Sequence, residues 1–214
     1  MDQEAELINT NTRIEKIKNF FVNKKKNIIS IIIITVLCLF GYFFYKDYMK
    51  KEKIKIAEKY SYLVSKFDQQ NKEQFLEEFK KIISAKDSTY SPLALYYLID
   101  NSLINSQKET NSLFDFIIEN IKLEKEIKNL IIYKKALYNS EFETENNLLN
   151  ILKPVLNSES VWRPHALYLM GEYFYSKGEK QKSKDFFQKI IELKNIDQNI
   201  LIDAQKKIQR DFSE

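Results

Sequence analysis

The side chains able to do chemistry in this 214-residue chain are few and far apart. There is one histidine, His165, and one cysteine, Cys38. With no second histidine or cysteine, a metal ligand set of the usual kind cannot be assembled, and Cys38 lies inside an apolar run, where no Cys–His nucleophile pair with His165 is expected. No G-x-S-x-G run presents a serine nucleophile, and three glycines are too few for phosphate-cradling loops. Asp100 and Glu172 are the carboxylates at corresponding places in two repeated segments. Acid–base work between them needs a closed pocket, which an open binding face does not offer. The expectation is therefore a protein that is not an enzyme, with no metal and no cofactor. A formal net charge of +4 with both signs interspersed gives no reason to expect nucleic acid, and nothing points to a small-molecule substrate.

What remains is binding chemistry. Tyr96, Tyr133 and Tyr168 fall at one position of three successive helix pairs, and four residues further on come Asp100, Leu137 and Glu172. A ladder of rigid amphipathic rings suits an extended peptide or a partner helix, because it offers contact area at little entropic cost. The alternative is that these tyrosines cover the seams between helices. Trp162, the single tryptophan, precedes a proline-initiated helix and is expected to pack on the preceding repeat.

The elements that must position these residues follow from an internal repeat. S-P-L-A-L-Y-Y-L begins at Ser91 and R-P-H-A-L-Y-L-M begins at Arg163, sharing Pro, Ala, Leu and Tyr. Each is followed by a second apolar stripe, Phe114, Ile117 and Ile118 in one and Phe187, Ile190 and Ile191 in the other. The offset of 72 to 73 residues halves to about 36, the period of helix–turn–helix repeats. A repeat must then lie between them, and residues 130–140 followed by 148–156 fit. Pro92 and Pro164 are placed at first helical positions, where a missing N–H costs least. Pro154 falls inside an apolar stripe and should kink or shorten its helix. Upstream, Met49, Ile56, Tyr60, Leu63 and Phe67 form one helical stripe, and Phe75, Phe79, Ile82 and Ile83 form a second, antiparallel helix.

Ahead of these lies residues 28–45, without a charged residue and with twelve Ile, Leu, Val or Phe. As a helix the run reaches about 27 Å, near the hydrocarbon thickness of a bilayer. Lys24, Lys25 and Lys26 flank one end, and Tyr42, Phe43, Phe44, Tyr45 and Tyr48 cluster at the other, where aromatic rings favour the lipid–water boundary. The reading is an all-α chain: a cytoplasmic arm (1–27), a transmembrane helix (28–45), a lead helix pair (46–88) and about three repeats (89–214). The short arm stays in the cytoplasm, since long domains translocate largely regardless of charge.

With Gly171 as the small residue of its first helix, the last repeat places Leu167, Met170, Gly171, Phe174, Gly178, Ser183, Phe187 and Ile190 on the eight positions that define a tetratricopeptide repeat. Its usual closing proline is replaced near Asn195. The middle copy sets Ala136 at the small position but Lys135 and Asn139 at positions usually apolar, and Ile99 replaces the small residue in the first copy. The whole layout resembles the bacterial ancillary Sec translocon subunit family. That resemblance implies an α-solenoid of helix hairpins tethered to the inner membrane and facing the periplasm. It also implies protein partners: translocon subunits, a membrane-anchored periplasmic chaperone and newly exported chains. The alternative is a structural scaffold for envelope or cell-division assembly.

Overall fold

The computed structural model describes Lys18, Val22 and residues 24–68, 71–194 and 196–212, with the side chains of Ile28, Ile31, Ile32 and Phe212 not described. Most of the expected arm and Asn195 lie outside the described residues. Among them the secondary structure is helical: α1 (Lys25–Lys66), α2 (Lys72–Ser84), α3 (Tyr90–Asp100), α4 (Gln107–Asn120), α5 (Lys125–Asn139), α6 (Glu145–Leu156), α7 (Arg163–Ser176), α8 (Lys180–Ile191) and α9 (Gln198–Phe212). The chain divides into two units, Met1–Lys55 and Ile56–Glu214.

In the first unit, α1 carries the apolar run. Every described side chain from residue 33 to residue 48 is exposed, including Ile33, Leu37, Phe40 and Phe44. These residues point in all directions around the helix rather than along one stripe. Among the described residues no helix is long and apolar enough to cross a membrane; the expected span of residues 28–45 includes Ile28, Ile31 and Ile32, whose side chains lie outside that description.

The second unit is a run of helices whose apolar stripes close on their neighbours. Leu63 at the end of α1 joins Phe79 and Ile82 of α2, Leu95 and Leu98 of α3, and Phe114 and Ile117 of α4 in one core that ends with Ile131 of α5. Ile132 opens the next core, built with Leu148 and Leu152 of α6 and Met170 and Phe174 of α7. The third gathers Leu167, Phe187, Ile190 and Ala204 of α9. Consecutive side chains of α5 thus serve two cores. The repeats are α3–α4, α5–α6 and α7–α8, and α9 follows them as an additional helix with its own buried residue, Ala204.

The helix ends have local causes. Ser106 and Thr144 cap α4 and α6 by accepting from the Glu109 and Asn147 N–H groups. The prolines sit slightly deeper than first positions: α3 starts at Tyr90 and α7 at Arg163, so Pro92 is third and Pro164 second. All such positions belong to the first turn, whose N–H groups have no intrahelical partner. Before α3, Asp87 fills that need, its carboxylate accepting from Thr89 and Tyr90 N–H, each at 2.8 Å. Pro154 lies inside α6, which ends two residues later at Leu156. α7 closes with Gly178 at φ +76 and Glu179 N–H donating to the Phe174 carbonyl at 2.9 Å, a Schellman-type end that a glycine suits. α3 closes the same way, Leu103 N–H to the Leu98 carbonyl at 2.8 Å, with Ser102 held at φ 50 in the glycine's place.

Candidate functional site

The three tyrosines of the ladder occupy α3, α5 and α7, the first helices of the three repeats, and each is half-buried. Tyr96 and Tyr133 also meet the helix that opens the next pair, and Tyr168 lies beside the additional helix α9. The Lys134 ammonium of α5 lies 4.7 Å from the Tyr96 ring centroid. Tyr133 stacks on Trp162 with centroids 6.0 Å apart and planes at 19°, and His165 of α7 meets its edge at 5.9 Å. Tyr168 packs edge-on against Phe187 at 5.2 Å and shares a cleft of about 520 Å³ with Asp203, Lys207 and Arg210 of α9. The tyrosines are therefore built into the seams while keeping part of each ring accessible. Trp162 packs on the middle repeat, as its position ahead of the proline leads one to expect.

Burial raises the hydroxyl pKa of all three tyrosines; at Tyr168 the negative charge of Glu172 adds to it. At Tyr96 the shift is the largest, and the hydroxyl is buried without a hydrogen-bond partner among the described residues. The ladder is thus neutral at any physiological pH, a hydrogen-bonding and stacking surface rather than a proton-transfer one.

The residues four positions on diverge. Asp100 is exposed at the end of α3 and Leu137 is exposed on α5. Glu172 is paired with Lys207 of α9 at 2.6 Å. Burial works against the charged Lys207, but the hydrogen bond and charge of Glu172 prevail and hold its pKa above the usual lysine value. Lys207 also lies 5.6 Å from the Tyr175 ring centroid. In the last repeat, the additional helix α9 thus takes up contacts that the first two repeats leave to solvent or to the next pair. Its signal in the sequence is Leu201, Ala204 and Ile208 at spacings of three and four, an apolar stripe that falls after the last repeat's eight positions.

Two clefts open at the starts of α3 and α7. One of about 700 Å³ is lined by Pro92, Leu93 and Tyr96 together with Lys122, Leu123 and Ile127. The other, about 890 Å³, is lined by Trp162, Pro164 and His165 with Leu193, Lys194 and Ile200. Pro164 and Lys194 each stand 72 residues after Pro92 and Lys122, so the clefts are the same feature of the first and last repeats. The middle repeat draws its corresponding loop in instead. There the Ser160 hydroxyl and the Val161 N–H both donate to Glu126 Oε2, at 2.6 and 3.2 Å.

Among the described residues there is no group of three His, Cys, Asp or Glu side chains placed to hold a metal ion. Cys38 is exposed on α1.

An all-helical stack of paired helices, with aromatic rings along its seams and open clefts at its edge, defines a repeat scaffold of the kind that binds other polypeptides. The chain belongs to the tetratricopeptide repeat-like domain family, whose profile matches residues 18–209. Domains of this kind are typically non-catalytic protein-interaction modules. No curated protein and no solved structure matches the chain.

Proposed function

We propose that this protein is a single-span inner-membrane protein of the bacterial envelope. In this reading its helical-repeat domain faces the periplasm and binds other proteins as an ancillary subunit of the Sec translocon. The observation that carries the anchor is α1, where the described side chains of residues 33–45 are apolar almost without exception and all exposed. Water does not tolerate an apolar surface on every side of a helix, whereas lipid does. The family match begins at residue 18, ahead of the apolar run, so the run is part of the shared pattern rather than an appendage. At about −0.3 to −0.6 kcal/mol for each central Ile, Leu, Val or Phe, the run favours insertion by roughly 4–7 kcal/mol.

The mechanism is tethering. An anchor confines the repeat surface close to the membrane and raises its effective concentration for chains emerging there, without any new contact. The assigned partners are translocon subunits, a membrane-anchored periplasmic chaperone and exported chains, all recognised through the tyrosine-bearing helices α3, α5 and α7.

The test joins topology to company. A reporter active only outside the cytoplasm, fused after Glu214, is expected to be active, and affinity purification from membranes is expected to recover translocon subunits. A reporter active only in the cytoplasm overturns the orientation. Recovery of envelope-assembly or division proteins in place of translocon subunits overturns the export role in favour of a scaffold.

A further inference from the structure

We propose that the cleft at the start of α3 is a subsite for an extended polypeptide segment that pairs an apolar side chain with an adjacent carboxylate. This inference rests on the protein-binding reading and assigns a chemistry to one part of that surface.

The apolar half of the argument is the lining. Leu93 and Ile127 are 38% and 40% exposed at the cleft, on opposite walls contributed by α3 and α5. Pro92 and Leu123 complete a pocket of about 700 Å³, ample for one or two large side chains. Solvent-facing aliphatic pairs of this sort gain from being covered, because their apolar area leaves water.

The polar half is charge and an unmet hydrogen bond. Lys122 lines the cleft and Lys134 sits over the Tyr96 ring; among the described residues neither lysine has an ion-pair partner. Against these two cations stands one lining carboxylate, Glu124. Tyr96 lines the cleft, and its hydroxyl, buried and without a partner among the described residues, is a donor that an incoming carbonyl or carboxylate oxygen satisfies once the ring shifts toward the cleft; leaving such a group unpaired is costly. The segment that answers all of these demands is apolar and acidic together. The corresponding cleft of the last repeat keeps the lysine, as Lys194, beside the apolar Leu193 and Ile200, but Glu159 and Asp197 also line it and Tyr168 does not, so the proposal is confined to the cleft of the first repeat.

The experiment uses the full chain in detergent or nanodiscs and three short fluorescent peptides: leucines alternating with aspartates, leucines alternating with lysines, and serines alternating with aspartates. The first is expected to bind at least about tenfold more tightly than either of the others. Ile127→Asp is expected to weaken it about tenfold or more. Tyr96→Phe should weaken it about threefold or more while leaving the melting temperature unchanged or higher, since it removes a buried unsatisfied hydroxyl. Lys134→Glu is expected to shift preference toward the lysine peptide. Equal binding of the acidic and basic peptides overturns the proposal. So does undiminished binding by Ile127→Asp with its helical circular dichroism intact, or no peptide binding at all. A parent chain that binds none of the peptides yet still co-purifies with membrane partners rejects this subsite alone; loss of those partners from the parent chain would instead reject the broader reading.

Discussion

The seam between α4 and α5 and the hairpin of α7 with α8 solve one packing problem with different chemistry. In the hairpin, Phe187 is fully buried with its ring directly over Gly171, where an added Cβ would stand 2.8 Å from Phe187 Cε1 and Cζ. Phe174 stacks on Phe186 at 5.4 Å, and the buried Ser183 hydroxyl donates to the Gly171 carbonyl at 2.8 Å. Apolar contact holds this pair, with one polar clip. The α4–α5 seam is apolar near Ile117 and Ile131 but polar toward the end of α5. There Asn139, fully buried, exchanges amide hydrogen bonds with Asn111 at 2.7 and 2.9 Å and accepts from Gln107 at 3.1 Å. Lys135 reaches Asp115 at 2.5 Å. An apolar seam tolerates gradual erosion, whereas a buried polar network depends on every member being paired. The middle repeat is therefore specified by matching donors and acceptors, the last by shape.

The sharpest way to break the comparison is Phe187→Ala. Removing a fully buried ring that touches Gly171 and Tyr168 should cost about 3–5 kcal/mol, read from denaturant unfolding. A loss under about 1 kcal/mol would mean the hairpin does not depend on this contact. Next in size is Asn139→Leu, which strands the Asn111 amide and should cost about 1–3 kcal/mol. Asn111→Leu combined with Asn139→Leu should recover much of that loss, because both partners then become apolar. If the two single losses simply add, the amide exchange is not the specifying contact. The smallest effect concerns the helix ends. Ser102→Gly should stabilise by about 1 kcal/mol, since Ser102 pays for a left-handed conformation that Gly178 adopts freely. An unchanged or lower midpoint would remove backbone strain from the account of that turn.

Periodicity made the helices and their pairing legible, because apolar residues at spacings of three and four need only the chain's own pattern. Leu167, Met170, Gly171, Phe174, Ser183, Phe187 and Ile190 are all buried where the repeat pattern put them, and Gly178 takes the left-handed turn. Lys135 and Asn139 looked like departures because a single-repeat pattern contains no neighbour. Their partners, Asp115 and Asn111, lie in the preceding repeat. The additional helix α9 was hidden for a similar reason, since its stripe follows the last repeat and matches no second copy. The candidate site was half legible: the common position of Tyr96, Tyr133 and Tyr168 is plain in the repeat, but that Lys134, Trp162 and α9 would lie against them depends on which helix comes next. The clefts at the starts of α3 and α7 are a product of loop course, for which Pro92 and Pro164 were the only hint.

The central claim is that the stack works by touching other polypeptides through its first helices. A photo-crosslinking residue placed at Leu137, exposed on α5, tests it in intact cells against the same residue at Ser112, exposed on α4. Crosslinks to envelope proteins from position 137, absent from position 112, are the predicted result. Equal labelling from both positions, or none from position 137, would contradict the account.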